Sequence, residues 1–277
     1  MKKNYLIIPD VHGRSFWKEK VYQVLQNKEN THIIFLGDYV DPYEYEGIFP
    51  EDGIAALEEI IDIKKKYPNQ VTLLLGNHDC GYIWQSVCRA RRSTKYYTNI
   101  SNLFTKNLNL FDLAYSVKIN DRKYLFTHAG VHKVWIDKFI DYLGAKIDYD
   151  NIDFFLNNAL HVDTYSDVLE TFLGMYSYFR SYFGPDYGSC IWADVRELST
   201  ELPHREADKE LGYYQIFGHT QLELDPIVQD SFACLDVRRY FILRESDGLL
   251  IDPQYPMNQR CYDLNTGESK FFEEEEQ

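Results

Sequence analysis

Thr31-His32-Ile33-Ile34-Phe35-Leu36-Gly37-Asp38-Tyr39-Val40-Asp41 is an apolar, β-branched run that breaks at a glycine and delivers two carboxylates three residues apart. A run this short with a glycine at its end reads as a buried strand followed by a polar turn. The same grammar recurs on both sides. Upstream, Tyr5-Leu6-Ile7-Ile8-Pro9 leads into Asp10-Val11-His12, and downstream Val71-Thr72-Leu73-Leu74-Leu75 leads into Gly76-Asn77-His78-Asp79. Strands are expected at 4–9, 31–36 and 70–75. A helix is expected over 15–26, capped by Ser15, and another over 51–67, where Ile54, Leu57, Ile60 and Ile61 repeat at helical spacing before Pro68-Asn69. This βαβαβ order predicts a parallel core that gathers its polar residues at the carboxyl ends of the strands.

Two later clusters extend the series. Thr127-His128-Ala129-Gly130 follows the apolar run Lys123–Thr127, and Gly218-His219-Thr220 follows Tyr213-Tyr214-Gln215-Ile216-Phe217. Helices are expected at 81–90 and 100–110, and a hairpin of 113–119 with 123–127 turning through Asn120-Asp121. Residues 131–183, dense in Tyr and Phe, read as a helical insertion packed beside the site in the manner of a lid. Short strands at 225–229, 232–236, 240–244 and 259–263 are expected to build a second, mainly antiparallel sheet. Nothing in the sequence forces a division, so one domain over 1–277 with an insertion at about 131–183 is expected.

Bulk properties narrow the function. The 277 residues suffice for a substantial core, and no apolar stretch reaches membrane-spanning length. The net charge of −14 argues against a nucleic-acid surface but leaves a phosphate substrate open, because two divalent cations bring roughly four local positive charges. Cys80, Cys88, Cys190, Cys234 and Cys261 are scattered and lack zinc-type spacing, which suits a reduced, cytoplasmic setting. The Glu-rich tail reads as solvated.

The clusters also carry chemistry. Asp10 and His12, two apart at a strand end, are expected to point the same way and to bind one cation together. Asp38 has two oxygens with which to bridge two cations, Asn77 offers a neutral oxygen, and His128 and His219 offer imidazole nitrogens. This mixed set suits manganese, iron or zinc better than magnesium. In order and content the five clusters resemble the calcineurin-like metallophosphoesterases, whose motifs run DxH, GDxxD, GNH[ED], H and GH.

That resemblance implies a four-layer α/β/β/α sandwich of two mixed sheets. It further implies two metal ions, one held by Asp10, His12 and Asp38 and the other by Asp38, Asn77, His128 and His219. A hydroxide bridging cations about 3.5–4 Å apart would be the nucleophile, His78 the general acid, and Asp41 its orienting partner. Gly218-His219-Thr220-Gln221 lacks the second His of the common GHTH ending. The lone closing His, with GDYVD, THAG and Ile191-Trp192-Ala193-Asp194, resembles the phosphoprotein phosphatase branch, which includes serine/threonine phosphatases and diadenosine tetraphosphatases. That branch continues GDxxD with a phosphate-gripping Arg, where this chain has Pro42. Arg196 and Arg180 are then the leading phosphate ligands, with the cluster Arg89, Arg91 and Arg92 behind them. His132 reads as a helix-surface residue, with pocket lining as the alternative.

The reading from sequence is a metal-dependent phosphomonoesterase acting on a phosphorylated small molecule or phosphoprotein. A rival is cleavage of pyrophosphate in nucleotides or dinucleoside polyphosphates, with Tyr165, Phe172, Tyr176, Tyr178, Phe179 and Tyr182 as a base platform. A third is a metal-poor scaffold, against which the presence of every ligand and of His78 argues.

Overall fold

A computed structural model describes residues 3–87, 90–162, 166–180, 187–198, 211–256 and 258–271. Arg89, Cys88, Tyr165, Tyr182 and the Glu-rich tail lie outside the described residues, as does the side chain of Tyr178.

Three strands, β1 (Asn4–Ile8), β2 (Thr31–Phe35) and β3 (Val71–Leu74), run parallel, with Leu6 opposite Ile33 and Ile33 opposite Val71. Right between them in sequence come α1 (Lys18–Gln26) and α2 (Pro50–Lys66). Every β2 residue is buried, as befits a parallel strand covered on both faces. Alternation sends Leu6, Ile8, Ile33, Phe35 and Leu73 to the apolar cluster shared with Val21, Val24, Leu57 and Ile60 of the two helices. It sends Tyr5, Ile7, Ile34 and Leu74 to the other face, where they meet the second sheet.

After α3 (Asn77–Ile83) and α4 (Tyr97–Lys106), the short β4 (Phe111–Asp112) closes one edge of the first sheet. The hairpin β5 (Ala114–Ile119) and β6 (Arg122–Thr127) opens the second sheet, turning at Asn120 with φ 53°. Then come α5 (Lys133–Tyr142), α6 (Ile152–His161), α7 (Ser166–Leu173) and the one-turn α8 (Val195–Leu198). Strands β7 (Tyr214–Phe217), β8 (Ile227–Val228) and β9 (Phe232–Cys234) complete the second sheet, in the order β5-β6-β7-β9-β8. Phe126, Ile216 and Ala233 from this sheet fill the layer between the two sheets. The expected four-layer arrangement of helices, sheet, sheet and helices is what the chain adopts.

Several local expectations are corrected. Residues 240–244 and 259–263 do not join the second sheet. As β10 (Phe241–Arg244) and β12 (Arg260–Asp263), with β11 (Leu249–Asp252) and β13 (Ser269–Phe271), they extend the first sheet beyond β1. Phe241, Leu243, Leu250 and Tyr262 bury one face in the inter-sheet core, as they would have done from either sheet. Nor is the second sheet mainly antiparallel, since β6-β7 and β7-β9 are parallel pairs. Helix α1 starts at Lys18 without a side-chain cap from Ser15; the buried Trp17 precedes it and donates through Nε1 to the Arg14 carbonyl at 2.9 Å.

Residues 131–183 do include helices, and these build core. Trp135 donates to the Phe172 carbonyl at 3.0 Å, and Phe139 stacks on Phe172 with centroids 4.8 Å apart. His132 is fully buried, accepts the Val134 N–H to cap α5, and stacks on Tyr187, so it is no surface residue. Among the described residues no helix is long and apolar enough to cross a membrane.

Candidate metal and phosphate site

The polar clusters meet where β1, β2, β3, β6 and β7 end. Strand β1 stops at Ile8, so Asp10 and His12 sit in a turn and owe their directions to backbone shape, not to pleating. Four site residues, His12 (φ 43°), Asp38 (φ 53°), Asp41 (φ 58°) and His219 (φ 62°), adopt the left-handed region. Non-glycine residues rarely do so, and such strain concentrates at functional sites.

Bare glycine makes room for two carboxylates. A Cβ on Gly76 would lie 2.1 Å from Asp38 Oδ1, and one on Gly218 would lie 2.5 Å from Asp10 Oδ2. Asp79 ties two elements together. It receives the Gly76 N–H at 2.9 Å at the start of α3, and it also accepts Asp38 N–H at 2.7 Å and Tyr39 N–H at 3.0 Å. Helix α3 therefore begins at Asn77, four residues before its expected start, and one buried carboxylate ties it to the Asp38 loop. Asp79→Ala would strand three buried N–H groups. Its expected cost is about 3 kcal/mol or more of unfolding free energy, measurable as a lowered urea midpoint; a loss below about 1 kcal/mol would contradict this role.

The donor atoms converge. His128 Nε2 lies 2.9 Å from Asn77 Oδ1 and 3.1 Å from His219 Nδ1, which is itself 3.0 Å from Asn77 Oδ1. Asp38 Oδ2 stands 3.5 Å from both His12 Nε2 and His128 Nε2. His12 and His128 donate their Nδ1–H groups to the carbonyls of Val40 (2.8 Å) and Leu36 (2.9 Å), which leaves both Nε2 lone pairs facing Asp38. The buried His219 Nε2 meets no hydrogen-bond partner among the described residues.

Burial pushes His12 down to about 3, and burial together with the nearby Arg180 charge holds His219 well below the usual range, so both imidazoles are neutral and able to ligate. Burial works against ionised Asp38, yet the imidazoles of His128, His78 and His12 outweigh it and bring the carboxyl to about 2. Two donor groups result, His12 with Asp38 and His78, and Asp38 with His128 and His219, sharing Asp38. The set fits a pair of divalent cations. Asp10 sits beside rather than within these groups, both its oxygens accepting the His219 N–H at 2.9 Å.

His78 donates Nδ1–H to Asp41 Oδ2 at 2.8 Å, leaving Nε2 for another partner. Burial lowers its affinity for a proton, but the Asp38 and Asp41 carboxylates prevail and its pKa lies above the ordinary value. Asp41 is held in turn by Tyr82 Oη–H at 2.6 Å and Ser93 N–H at 3.3 Å. Neither residue was anticipated, although Tyr82, one helical turn after His78, follows from the i,i+4 rule once the helix start is known.

The two expected phosphate ligands differ in place. Arg180 donates from Nη2 to Thr220 Oγ1 at 3.0 Å, next to His219, and its Nε lies 3.3 Å from Asp194 Oδ2. Arg196 embraces Asp194 through Nε (2.7 Å) and Nη2 (3.1 Å) and also donates to the Phe179 carbonyl. Gln221 is exposed.

The calcineurin-like phosphoesterase family model matches residues 3–221, most of the chain and every cluster described. The chain belongs to this family. Among curated proteins it is similar to the serine/threonine-protein phosphatase 6 catalytic subunit of Drosophila melanogaster, 28% identical over 131 residues, covering 44% of this chain and 38% of that protein. It is also similar to serine/threonine-protein phosphatase PP2A-like PPG1 of Saccharomyces cerevisiae, 28% identical over 45% of this chain and 32% of that protein. The chain thus aligns with only about a third to two-fifths of these relatives' lengths, and they bear out the phosphoprotein-phosphatase-like branch. A cold-active protein-tyrosine phosphatase of a psychrophilic Shewanella species shares the fold, with a TM-score of 0.57 at 18% identity over 94% of this chain and 80% of that one.

Proposed function

We propose that the chain is a two-metal phosphomonoesterase. The observation that carries this reading is the single carboxylate of Asp38 shared by two donor groups, beside a His78–Asp41 pair. Asp10, His12 and Asp38 would hold one cation, and Asp38, Asn77, His128 and His219 the other, with manganese or iron suited to these donors and zinc within the same chemistry. When bound, two such cations supply the Lewis acidity that offsets phosphoryl charge and yields a nucleophile at neutral pH.

The chain's own residues supply the rest. With Nδ1–H committed to Asp41, His78 carries a proton at Nε2 for the departing oxygen in its imidazolium form, which the Asp38 and Asp41 carboxylates favour. Asp41 fixes the ring and favours its charged form, with Tyr82 and Ser93 fixing Asp41. Arg180, which shares Asp194 with Arg196, stands beside His219 and would contact a phosphoryl oxygen, whereas Arg196 turns both Nε and Nη2 to Asp194. Likeness to proteins named as protein phosphatases supports a phosphorylated side chain or small molecule as substrate.

The described part of the platform that the pyrophosphate-cleaving alternative needs is engaged elsewhere. Phe172 and Tyr176 are buried in the core, and the Phe179 ring lies under Arg196. The test is hydrolysis of p-nitrophenyl phosphate, bis-p-nitrophenyl phosphate and diadenosine tetraphosphate by chelated protein reloaded with manganese. Restored turnover of the monoester is expected. Selective cleavage of the dinucleotide would overturn the reading, and full function in chelator would favour the scaffold.

A further inference from the structure

We propose that Arg91 is the cation that grips the phosphoryl group on the His78 side of the site, seated for that task on the ring of Tyr43. The inference rests on the phosphoesterase reading above. Position 42, directly after Asp41, is proline and offers no donor of its own. A groove of about 740 Å³ opens from Asp41 between the loop at 43–51 and the loop at 91–96. Arg91 lines it beside Asp41. It donates through Nη2 to the Asp41 carbonyl, and its guanidinium carbon lies 3.6 Å from the centre of the Tyr43 ring. Tyr43 in turn meets His12 edge-on at 5.2 Å, and His12 meets His78 edge-on at 5.0 Å. One continuous ring-to-ring path thus joins Arg91 to the donor groups and to the acid.

Ion pairing sets Arg91 apart from its neighbours. Arg14 and Arg238 are paired with Glu46, and Arg180 and Arg196 with Asp194. Among the described residues no carboxylate lies within ion-pair distance of Arg91, which is exposed to the groove. In a chain of net charge −14, a guanidinium that Glu46 feels only at a distance, and that forms no ion pair among the described residues, is placed beside an active-site carbonyl for an anion. The ring beneath it desolvates one face and fixes the plane, so the free N–H groups form a fork that matches two phosphoryl oxygens. Arg92, next in sequence, is turned elsewhere, donating to the Gly81 carbonyl at 3.0 Å.

Calorimetric binding of inorganic phosphate to the manganese-reloaded protein tests this without requiring turnover, with KM for a monoester as the second readout. Arg91→Ala is expected to weaken phosphate and raise KM by roughly 10- to 100-fold. Arg91→Lys should recover part of the loss, since it keeps the charge and loses the fork. Tyr43→Leu should weaken phosphate too, by removing the platform. Arg92→Ala, which changes the general field equally, should stay within about twofold. Intact wild-type binding with no change in Arg91→Ala, or with equal losses in Arg91→Ala and Arg92→Ala, overturns this inference alone. Failure of the wild type to bind phosphate removes the phosphoesterase reading with it.

Discussion

Asp38→Ala is expected to lower turnover on the order of 10⁴-fold or more and to leave the protein unable to retain two cations. Asp38 Oδ2 is equidistant, at 3.5 Å, from His12 Nε2 and His128 Nε2, so both donor groups lose the same atom. Oδ1 accepts the His78 N–H at 3.0 Å, so the main chain of His78 also loses its anchor. The loop itself should persist, because Asp79 still binds the amides of residues 38 and 39. Alanine at φ 53° adds strain of about 1–2 kcal/mol, which makes Asp38→Asn the better companion. Asparagine tolerates that conformation and removes only the charge. Both variants should melt cooperatively while binding metal poorly. Two ions retained by a folded Asp38→Ala protein would overturn the shared-carboxylate assignment.

The second large effect is expected at His78. His78→Ala should lower kcat by roughly 10²- to 10⁴-fold on alkyl phosphates and far less on p-nitrophenyl phosphate, because an acid helps the poorest leaving groups most. His78 also lies among the donors of the first group, so the same variant decides between two roles. Its Nδ1–H is committed to Asp41 at 2.8 Å, which favours the acid. Accordingly the variant should keep its full metal content. Loss of one cation would make His78 a ligand, and equal losses on aryl and alkyl esters would end its role as acid.

Much of this site was legible in the sequence because strand periodicity and short polar punctuation are local signals. Asp38, Asn77, His128 and His219 were found at strand ends, and they converge because parallel strands gather their ends on one side. The pairing of β10 with β1 was not legible, since Phe241 to Arg244 alternate as well for one sheet as for the other and only the chain's path chooses the neighbour. The start of α3 was hidden because Asn77-His78-Asp79 favours turns as readily as a first helical turn. Tyr82 and Ser93 as supports of Asp41 depended on that helix start. Arg91 was visible as one charge in a cluster, but its seat on Tyr43 is a contact across 48 residues that no spacing rule supplies.

The central proposal is that the Asp38 carboxylate would serve two metal ions at once. The most direct measurement is the electron paramagnetic resonance spectrum of the chain loaded with two equivalents of manganese. A spin-coupled pair is predicted for the wild type, collapsing to isolated-ion signals or to no bound metal in Asp38→Asn. Isolated, uncoupled manganese in the wild type would contradict the account.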